Sequence, residues 1–331
     1  MKTKSIYLRK NLAILLLIIS LLFVFIKDLR AEYPESPITL IVPFPAGGVT
    51  DIGARAFADA LEKFFKKPVV VVNKVGGGTT IGGYAVASAK PDGYTLGWFP
   101  AMASIPDVYA YFIKAPYSSK DLIPVCRVYD VVGTVSVKGD STINNFQSLI
   151  EYMKKNPGTT WATHSKSSSG YILLRQIARR ENVKITEVLL EGDVKIIPGI
   201  LGGHVIVGTP VYTPAKPLVE SKQLKVLAVQ TKTKKRVDFL PDIPVVTEFG
   251  YVVGGMYNGL FAPKGTPSEI ITRLSSAAAT ICSNPSFIGK IRDLGLLLNF
   301  EDSKTFEKSL DEEKRRLSEF FMEEGFLEKP K

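Results

Sequence analysis

Apolar residues in the first third of the chain alternate between strand-like runs and helix-like spacing. The apolar run at 38–42 predicts a short strand, and the run at 69–72 has no polar alternation, which is typical of a strand buried on both faces. The segment 94–96 predicts a third strand. Between them, apolar residues recur at helical spacing over 52–65 and over a shorter stretch that ends near Ala89. This β-α-β-α-β order predicts a parallel sheet with right-handed crossovers.

The rest of the chain continues the alternation of strands and helices. Apolar runs predict strands at 131–137, 159–162 and 224–229, and helical spacing predicts helices at 146–153 and 169–180. Two further amphipathic helices are expected at about 268–281 and 306–321. A chain of 331 residues is long enough for two domains. The predicted fold class is therefore α/β, with two lobes.

The first 31 residues have the pattern of an export signal. Four basic residues within the first ten precede an apolar run at 12–26, which is shorter than the roughly 20 residues of a spanning helix. We therefore predict a signal peptide over 1–31. Cleavage after Ala31 would put Leu29 at position −3, where it fits the signal-peptidase pattern poorly, so an uncleaved anchor remains the alternative. Both place the remaining chain in the periplasm or another extracytoplasmic space.

Composition excludes several classes of protein and of site. With 45% hydrophobic and 22% charged residues, the chain is neither collagen-like, nor disordered, nor a polytopic membrane protein. Two cysteines and two histidines are too few for the usual zinc sites, so no metal is expected. The chain has 42 basic and 32 acidic residues, of which six basic and one acidic lie in 1–31. Residues 32–331 therefore carry a net charge of +5. This surplus suits an anionic small molecule but predicts no nucleic-acid partner. The one tight basic cluster, at 232–236, is interpreted as a solvated loop.

Two glycine-containing loops are candidate anion sites, because each joins a predicted strand to a helix N-terminus. The uncompensated N–H groups and the dipole of such a terminus bind a carboxylate or phosphate without a basic side chain. Thr50 or Asp51 is expected to cap the first helix. The alternative for either loop is a tight turn without a ligand. The candidate residues are Ala46, Gly47, Gly48, Val49, Thr50 and Asp51 in the first loop, and Gly77, Gly78, Thr79 and Thr80 in the second.

The second loop does not match a nucleotide-binding fingerprint. G-x-G-x-x-G requires glycine at its sixth position, where counting from Gly76 gives Ile81. The G-x-x-x-x-G-K-[ST] pattern of a phosphate-binding loop is also absent. We therefore expect no cofactor.

A third polar stretch lies between the predicted strand at 159–162 and the helix at 169–180. Its hydroxyls, those of Ser165, Ser167 and Ser168, are candidate ligand contacts, with a solvated helix cap as the alternative. A serine nucleophile is disfavoured, because the G-x-S-x-G elbow is absent and His164 has no evident orienting acid. Glu191 is a further candidate, either facing the cleft to accept a cationic group or lying on the surface.

Motifs along nearly the whole chain resemble the extracytoplasmic receptors of tripartite tricarboxylate transporters, the Bug family. They are Val42-Pro-Phe-Pro-Ala-Gly-Gly-Val-Thr-Asp51, Pro68-Val-Val-Val-Val-Asn73, Gly76–Gly82, Pro91-Asp-Gly-Tyr-Thr-Leu96, Pro241-Asp-Ile-Pro244 and Gly259-Leu-Phe-Ala-Pro-Lys-Gly-Thr-Pro267. The order and spacing of these motifs, rather than any single one, carry the resemblance.

The resemblance implies a type II periplasmic-binding-protein fold with a hinge between two α/β lobes. Lobe one would be 32–130 plus 255–331, and lobe two 131–254. Such receptors close on a small carboxylate, namely a di- or tricarboxylate, an acidic amino acid or an aromatic acid. By this resemblance the loop at 46–51, with 77–80 beside it, takes one carboxylate through backbone N–H groups and bridging waters. The protein would be a non-enzymatic monomer that delivers its ligand to a two-subunit membrane permease.

The second lobe departs from the family pattern. Tyr171 replaces a histidine, and Leu190-Glu191-Gly192 replaces Tyr-Lys-Gly. Glutamate in place of lysine favours a ligand with a cationic end, such as an amino acid. Two other functions stay open at this point: a ligand sensor for a membrane histidine kinase, and an exported serine-dependent enzyme.

Overall fold

The structure is a computed structural model that describes residues 33–190, 192–232 and 234–326. The predicted signal peptide or anchor at 1–31 and the candidate Glu191 lie outside the described residues. Within the described ranges, no helix combines the length and the apolar character that crossing a membrane requires.

Helices and strands alternate along most of the described chain. The first part contains β1 (Ile38–Val42), α1 (Val49–Phe65), β2 (Val69–Asn73), α2 (Thr80–Ala87), β3 (Thr95–Phe99), α3 (Ala101–Ser104) and β4 (Leu122–Val131). The middle part contains β5 (Gly133–Lys138), α4 (Phe146–Lys155), β6 (Thr159–Thr163), α5 (Ser169–Arg180), β7 (Ile185–Leu189), α6 (Asp193–Leu201), β8 (Val207–Gly208), α7 (Tyr212–Glu220) and β9 (Leu224–Gln230). The last part contains β10 (Tyr257–Pro263), α8 (Ser268–Ser283), α9 (Pro285–Asp293), β11 (Leu296–Asp302) and α10 (Ser303–Glu323).

The first sheet has six strands in the order β11-β4-β10-β3-β1-β2. β1 pairs in parallel with β2 and with β3, which confirms the predicted parallel β-α-β-α-β unit. β10 runs antiparallel to β3 and β4, and β11 antiparallel to β4. The carboxyl ends of β1, β2 and β3 therefore lie at the same edge as the start of β10. Both glycine loops leave the sheet at this edge.

The second sheet has five strands in the order β7-β6-β8-β5-β9. β6 pairs in parallel with β7 and β8, whereas β5 is antiparallel to β8 and β9. The two sheets, each covered by helices, form the predicted two-lobed α/β fold. The strands of the first sheet come from 38–131 and 257–302, and those of the second from 133–230. The exact lobe boundaries given above stay a prediction.

Helices cover both faces of the first sheet, and each face has its own core. α1, α8 and α9 pack on one face, around buried Phe57, Trp98 and Leu274. α2, α3 and α10 pack on the other, around Tyr257 and Phe306. Side chains of β10 that point into the first of these two cores therefore face the layer that contains α1.

The strand predicted over 131–137 is wrong in its start. β4 ends at Val131 in the first sheet and β5 begins at Gly133 in the second, with buried Val132 between them. The apolar run continues across the junction because the chain passes directly from one buried sheet to the other. Periodicity alone does not register such a change of sheet.

The basic cluster at 232–236 is not uniformly solvated. Lys232 forms an ion pair with Glu313 of α10, and only about a fifth of its side chain is exposed. Glu313 is 2% exposed and also accepts hydrogen bonds from the Gly255 N–H at 2.7 Å and from Arg316 Nη2 at 3.1 Å. The interpretation as a solvated loop is therefore wrong for Lys232, which joins the segment after β9 to α10.

Candidate functional site

The first glycine loop ends in a helix N-terminus that no side chain caps. α1 begins at Val49, with Gly48 in the N-cap position and no side-chain hydrogen bond to the cap. Ala46, Gly47 and Gly48 are exposed, and Gly47 has a φ of 82°, a conformation that suits glycine. The expectation that Thr50 or Asp51 caps the helix is wrong, because both lie inside its first turn. The first-turn N–H groups thus have no acceptor within the helix.

The side chain of Asp51 stabilises this loop through hydrogen bonds. Its side chain is 2% exposed, and Oδ2 accepts hydrogen bonds from the Gly47 N–H and from Arg55 Nε, both at 2.9 Å. Oδ1 accepts from Asn73 Nδ2 at 2.8 Å, and the same amide donates to the Phe44 carbonyl at 2.9 Å. Burial acts to raise the pKa of Asp51, but the bonds from Arg55, Gly47 and Asn73 lower the pKa overall. The carboxylate therefore stays ionised and shapes the loop.

The second glycine loop is tightly coiled and begins another helix. Gly76, Gly77, Gly78 and Thr79 all have positive φ, and α2 begins at Thr80. Thr80 Oγ1 donates to the Gly77 carbonyl at 2.9 Å. Thr79 is 4% exposed, yet its hydroxyl has no hydrogen-bond partner among the described residues.

The two loops lie against each other at the end of the parallel strands. The Lys74 N–H donates to the Val42 carbonyl at 2.8 Å, which ties the end of β2 to the end of β1. A Cβ added to Gly82 of α2 would lie 2.9 Å from both the Lys74 oxygen and the Pro43 Cβ. The structure thus brings the predicted residues of both loops together at one sheet edge.

The serine stretch after β6 lies on the second lobe and reaches the first. Ser168 caps α5, since its Oγ accepts from the Tyr171 N–H at 3.3 Å and donates to the Ser165 carbonyl at 2.7 Å. Ser165 Oγ and Ser167 Oγ are 3.0 Å apart. Ser167 is buried, and its Oγ lies 3.7 Å from Sδ of Met102 in α3. The serine stretch of the second lobe therefore contacts α3 of the first.

His164 has an acidic partner that the sequence did not reveal. Its Nε2 lies 3.0 Å from Oδ1 of Asp193, the first residue of α6, and that oxygen also accepts the Val211 N–H at 2.8 Å. Within the described chain, however, no hydrogen bond joins His164 to the hydroxyl of Ser165, Ser167 or Ser168. The pair therefore connects the end of β6 to the start of α6 without forming a nucleophile–base arrangement.

Sequence reasoning missed Asn258, near the start of β10. Its side chain is 1% exposed, and neither Oδ1 nor Nδ2 has a hydrogen-bond partner in the described structure. It pairs in register with Tyr129 of β4. The only signal in the sequence was an amide two residues before the apolar run Leu260–Ala262, at a position where a buried strand normally carries an apolar side chain.

No metal centre is evident among the residues that the structure describes, where no group of three or more His, Cys, Asp or Glu side chains is suitably placed.

The family model described as "Tripartite tricarboxylate transporter family receptor" matches residues 53–325, which is most of the chain. The protein belongs to this family. Tripartite tricarboxylate transporter receptors are solute-binding proteins, so the protein is a receptor and not an enzyme. This excludes the serine-dependent enzyme, in agreement with the separation of His164 from the serine hydroxyls.

Similar proteins place this receptor in the Bug branch of the family. It is 31% identical to BugT of Bordetella pertussis over 247 residues, 73% of this chain and 75% of BugT. It resembles the structure of the periplasmic binding protein BugD with a TM-score of 0.74 and 30% identity, covering 89% of this chain and 99% of BugD. An R. palustris protein solved with adipate matches with a TM-score of 0.79 and 25% identity, covering 88% and 98%.

Proposed function

We propose that the protein is an extracytoplasmic receptor that captures a small carboxylate by lobe closure and delivers it to a two-subunit membrane permease. The observation that carries this proposal is the uncapped N-terminus of α1 behind the exposed 46–48 turn. An uncapped helix N-terminus attracts anions through free N–H groups and about half a unit of positive charge. The buried Asp51 network leaves the backbone donors, rather than a basic side chain, to bind the ligand.

Carboxylate is the preferred anion because of the family and of the related protein solved with adipate, a dicarboxylate. The proposed classes are di- and tricarboxylates, acidic amino acids and aromatic acids. One carboxylate would bind to 46–51, with 77–80 beside it. In this proposal Asp51 supports the loop, and the backbone of its neighbours contacts the ligand.

Capture would proceed by closure of lobe two over the ligand. Ser165, Ser167 and Ser168 are the proposed contacts from the second lobe, and the Ser167–Met102 contact is consistent with a face that meets lobe one. A ligand favours the closed state only through contacts that the open state lacks. A bound acid that touches both lobes meets this requirement without covalent chemistry.

Export, monomeric state and ligand selectivity complete the proposal. The signal peptide over 1–31 would direct the receptor to the periplasm, as expected from its likeness to the periplasmic protein BugD. Glu191 is proposed to favour a ligand with a cationic end. A Glu191→Lys variant should shift preference from amino acids toward tricarboxylates, and an unchanged ligand profile would rule this role out.

Thermal unfolding against a panel of acids tests the main proposal. The panel is adipate, citrate, malate, succinate, aspartate, glutamate, nicotinate and terephthalate, each near millimolar. A ligand at about 1,000 times its Kd adds roughly 4 kcal/mol to the free energy of unfolding, so the melting temperature should rise by several degrees. If no acid raises the melting temperature, even after unfolding and refolding to remove a co-purified ligand, the proposal fails.

A pair of proline variants tests the role of the α1 N-terminus. Val49→Pro removes one first-turn N–H at a helix position that accommodates proline, and should weaken acid binding about tenfold. Ser268→Pro makes the same change at the first residue of α8, after the far end of β10. It should leave affinity unchanged. Equal affinities in the two variants would contradict the assignment.

A further inference from the structure

Asn258 is a buried amide without a partner among the described residues, and it lies at the edge of the first sheet from which both glycine loops leave. Its side chain is 1% exposed, and both Oδ1 and Nδ2 lack hydrogen bonds to the described residues. Buried polar groups in folded proteins are almost always paired with protein atoms or with ordered water. An amide with both atoms unpaired therefore indicates a water or ligand site.

The strand pattern fixes the direction of this amide. Side chains alternate along β10, and Leu260 and Ala262 pack into the core that α1 covers, so Asn258 points to the same face. Its register partner Tyr129 belongs to that core as well. The Tyr129 hydroxyl touches α1, because a Cβ on Gly53 would lie 2.0 Å from its oxygen.

In the strand order, Asn258 lies one strand closer to β1 than Tyr129 does. β10 stands between β4 and β3, and β3 neighbours β1, which leads directly into the 43–48 loop. In the antiparallel pairing Gly259 faces Phe99, the last residue of β3, so Asn258 lies level with the carboxyl ends of the parallel strands. The amide therefore lies on the face of the sheet that α1 covers, at the edge where β1 leads into the loop before the uncapped α1 N-terminus.

We propose that Asn258 holds a water molecule between its amide and the first turn of α1, and that this water bridges to the ligand carboxylate. Because Asn258 is almost completely buried, a ligand in the cleft would reach it through such a water rather than directly. A water suits this position, since it accepts from the amide or a first-turn N–H and donates to the amide oxygen or the carboxylate. The inference rests on the proposed carboxylate-binding function and adds a positioning residue from the C-terminal part of the chain.

Two substitutions that differ by one hydroxyl test this role. Asn258→Ser keeps a donor and an acceptor for the water, whereas Asn258→Ala removes both and leaves a void of similar size. With the acid of the panel that binds wild type most tightly, Asn258→Ala should raise the Kd about tenfold and Asn258→Ser much less. Tyr129→Phe, on the same face of the neighbouring strand, should leave the Kd unchanged.

Stability separates a binding role from a structural one. Asn258→Leu fills the site with an apolar side chain of similar volume, so the unliganded variant should melt at the wild-type temperature or above while it binds the acid more weakly. A large fall in its melting temperature would assign Asn258 to folding instead. A crystal structure of the unliganded protein should also contain a water hydrogen-bonded to the Asn258 amide, and a dry amide would overturn the proposal.

The outcomes distinguish this inference from the function on which it rests. If wild type binds an acid and Asn258→Ala matches both wild type and Asn258→Ser in Kd, only the role of Asn258 fails. If wild type binds no acid of the panel, the proposed function fails, and the role of Asn258 in binding fails for the same reason.

Discussion

The backbone N–H of Gly47 donates to Oδ2 of Asp51 at 2.9 Å, so a buried carboxylate closes the exposed turn in front of α1. The same oxygen accepts from Arg55 Nε, and Oδ1 accepts from Asn73 at the end of β2. One side chain therefore connects the loop, the helix and the neighbouring strand. An acid at this position is needed for loop geometry before any ligand arrives.

Asp51→Ala should lower the free energy of unfolding by about 2–4 kcal/mol, because it breaks three hydrogen bonds to a charged group. It should also weaken acid binding, since the 46–48 turn loses its support. Asp59→Ala is the matched control on the same helix, where an exposed carboxylate pairs with Lys63. That variant should change stability by less than about 0.5 kcal/mol. Denaturant titration of both proteins compares them, and equal losses would contradict the role of Asp51.

The lowered pKa of Asp51 predicts acid sensitivity of the loop. A carboxyl whose pKa is lower in the folded than in the unfolded state stabilises the fold above its ordinary pKa, 3.8, and loses that contribution as pH falls through the folded pKa. The difference in stability between wild type and Asp51→Asn should therefore be full near pH 7 and shrink below about pH 4. Melting temperatures across pH 3–7 measure it. A difference that stays constant over this range would show that the charge of Asp51 does not matter.

Gly53 is required where α1 packs on the sheet. A Cβ at this position would lie 2.0 Å from the Tyr129 hydroxyl oxygen, which lies in a close-packed core. Gly53→Ala should lower the free energy of unfolding by about 1–3 kcal/mol. Gly289→Ala in α9, where no atom lies within 4 Å of the new Cβ, should instead stabilise by about 0.5–1 kcal/mol. The Tyr129 ring atoms Cζ and Cε1 would also lie 2.4 and 2.6 Å from the new Cβ, so Tyr129→Phe should not recover the loss. Denaturant titration measures both glycine variants, and a Gly53→Ala protein as stable as Gly289→Ala would contradict the clash.

Glu313 is a buried link between α10 and the segments that join the two sheets. Burial acts to raise its pKa, but Lys232 and Arg316 lower the pKa overall. Glu313→Gln should therefore destabilise the protein by about 3–5 kcal/mol, because it leaves the partly buried Lys232 without its counter-charge. Glu319→Gln on the same helix removes only an exposed pair with Arg315 and should cost less than about 0.5 kcal/mol. Chemical denaturation tests both, and a Glu313→Gln protein as stable as the control would refute the link.

The local pattern of apolar residues, prolines and glycines was sufficient to predict the parallel half of the first sheet and both glycine loops. β1, β2 and α5 lie within a residue of their predicted bounds, because apolar period and proline or glycine breaks are properties of neighbouring residues. The antiparallel strands β4, β10 and β11 were missed. Their pairing joins segments more than a hundred residues apart, and no local period encodes it.

The candidate site shows the same division between features that the sequence determines and features that only the tertiary structure decides. The sequence alone determined the two loops at the ends of parallel strands, the serine stretch of the second lobe and the resemblance to the receptor family, since each is written in contiguous residues. Only the tertiary structure decided that Asp51 supports the loop, that Asp193 pairs with His164, and that the buried Asn258 amide has no partner among the described residues. These relationships depend on which strands and helices pack together, and a burial environment exists only once distant segments meet.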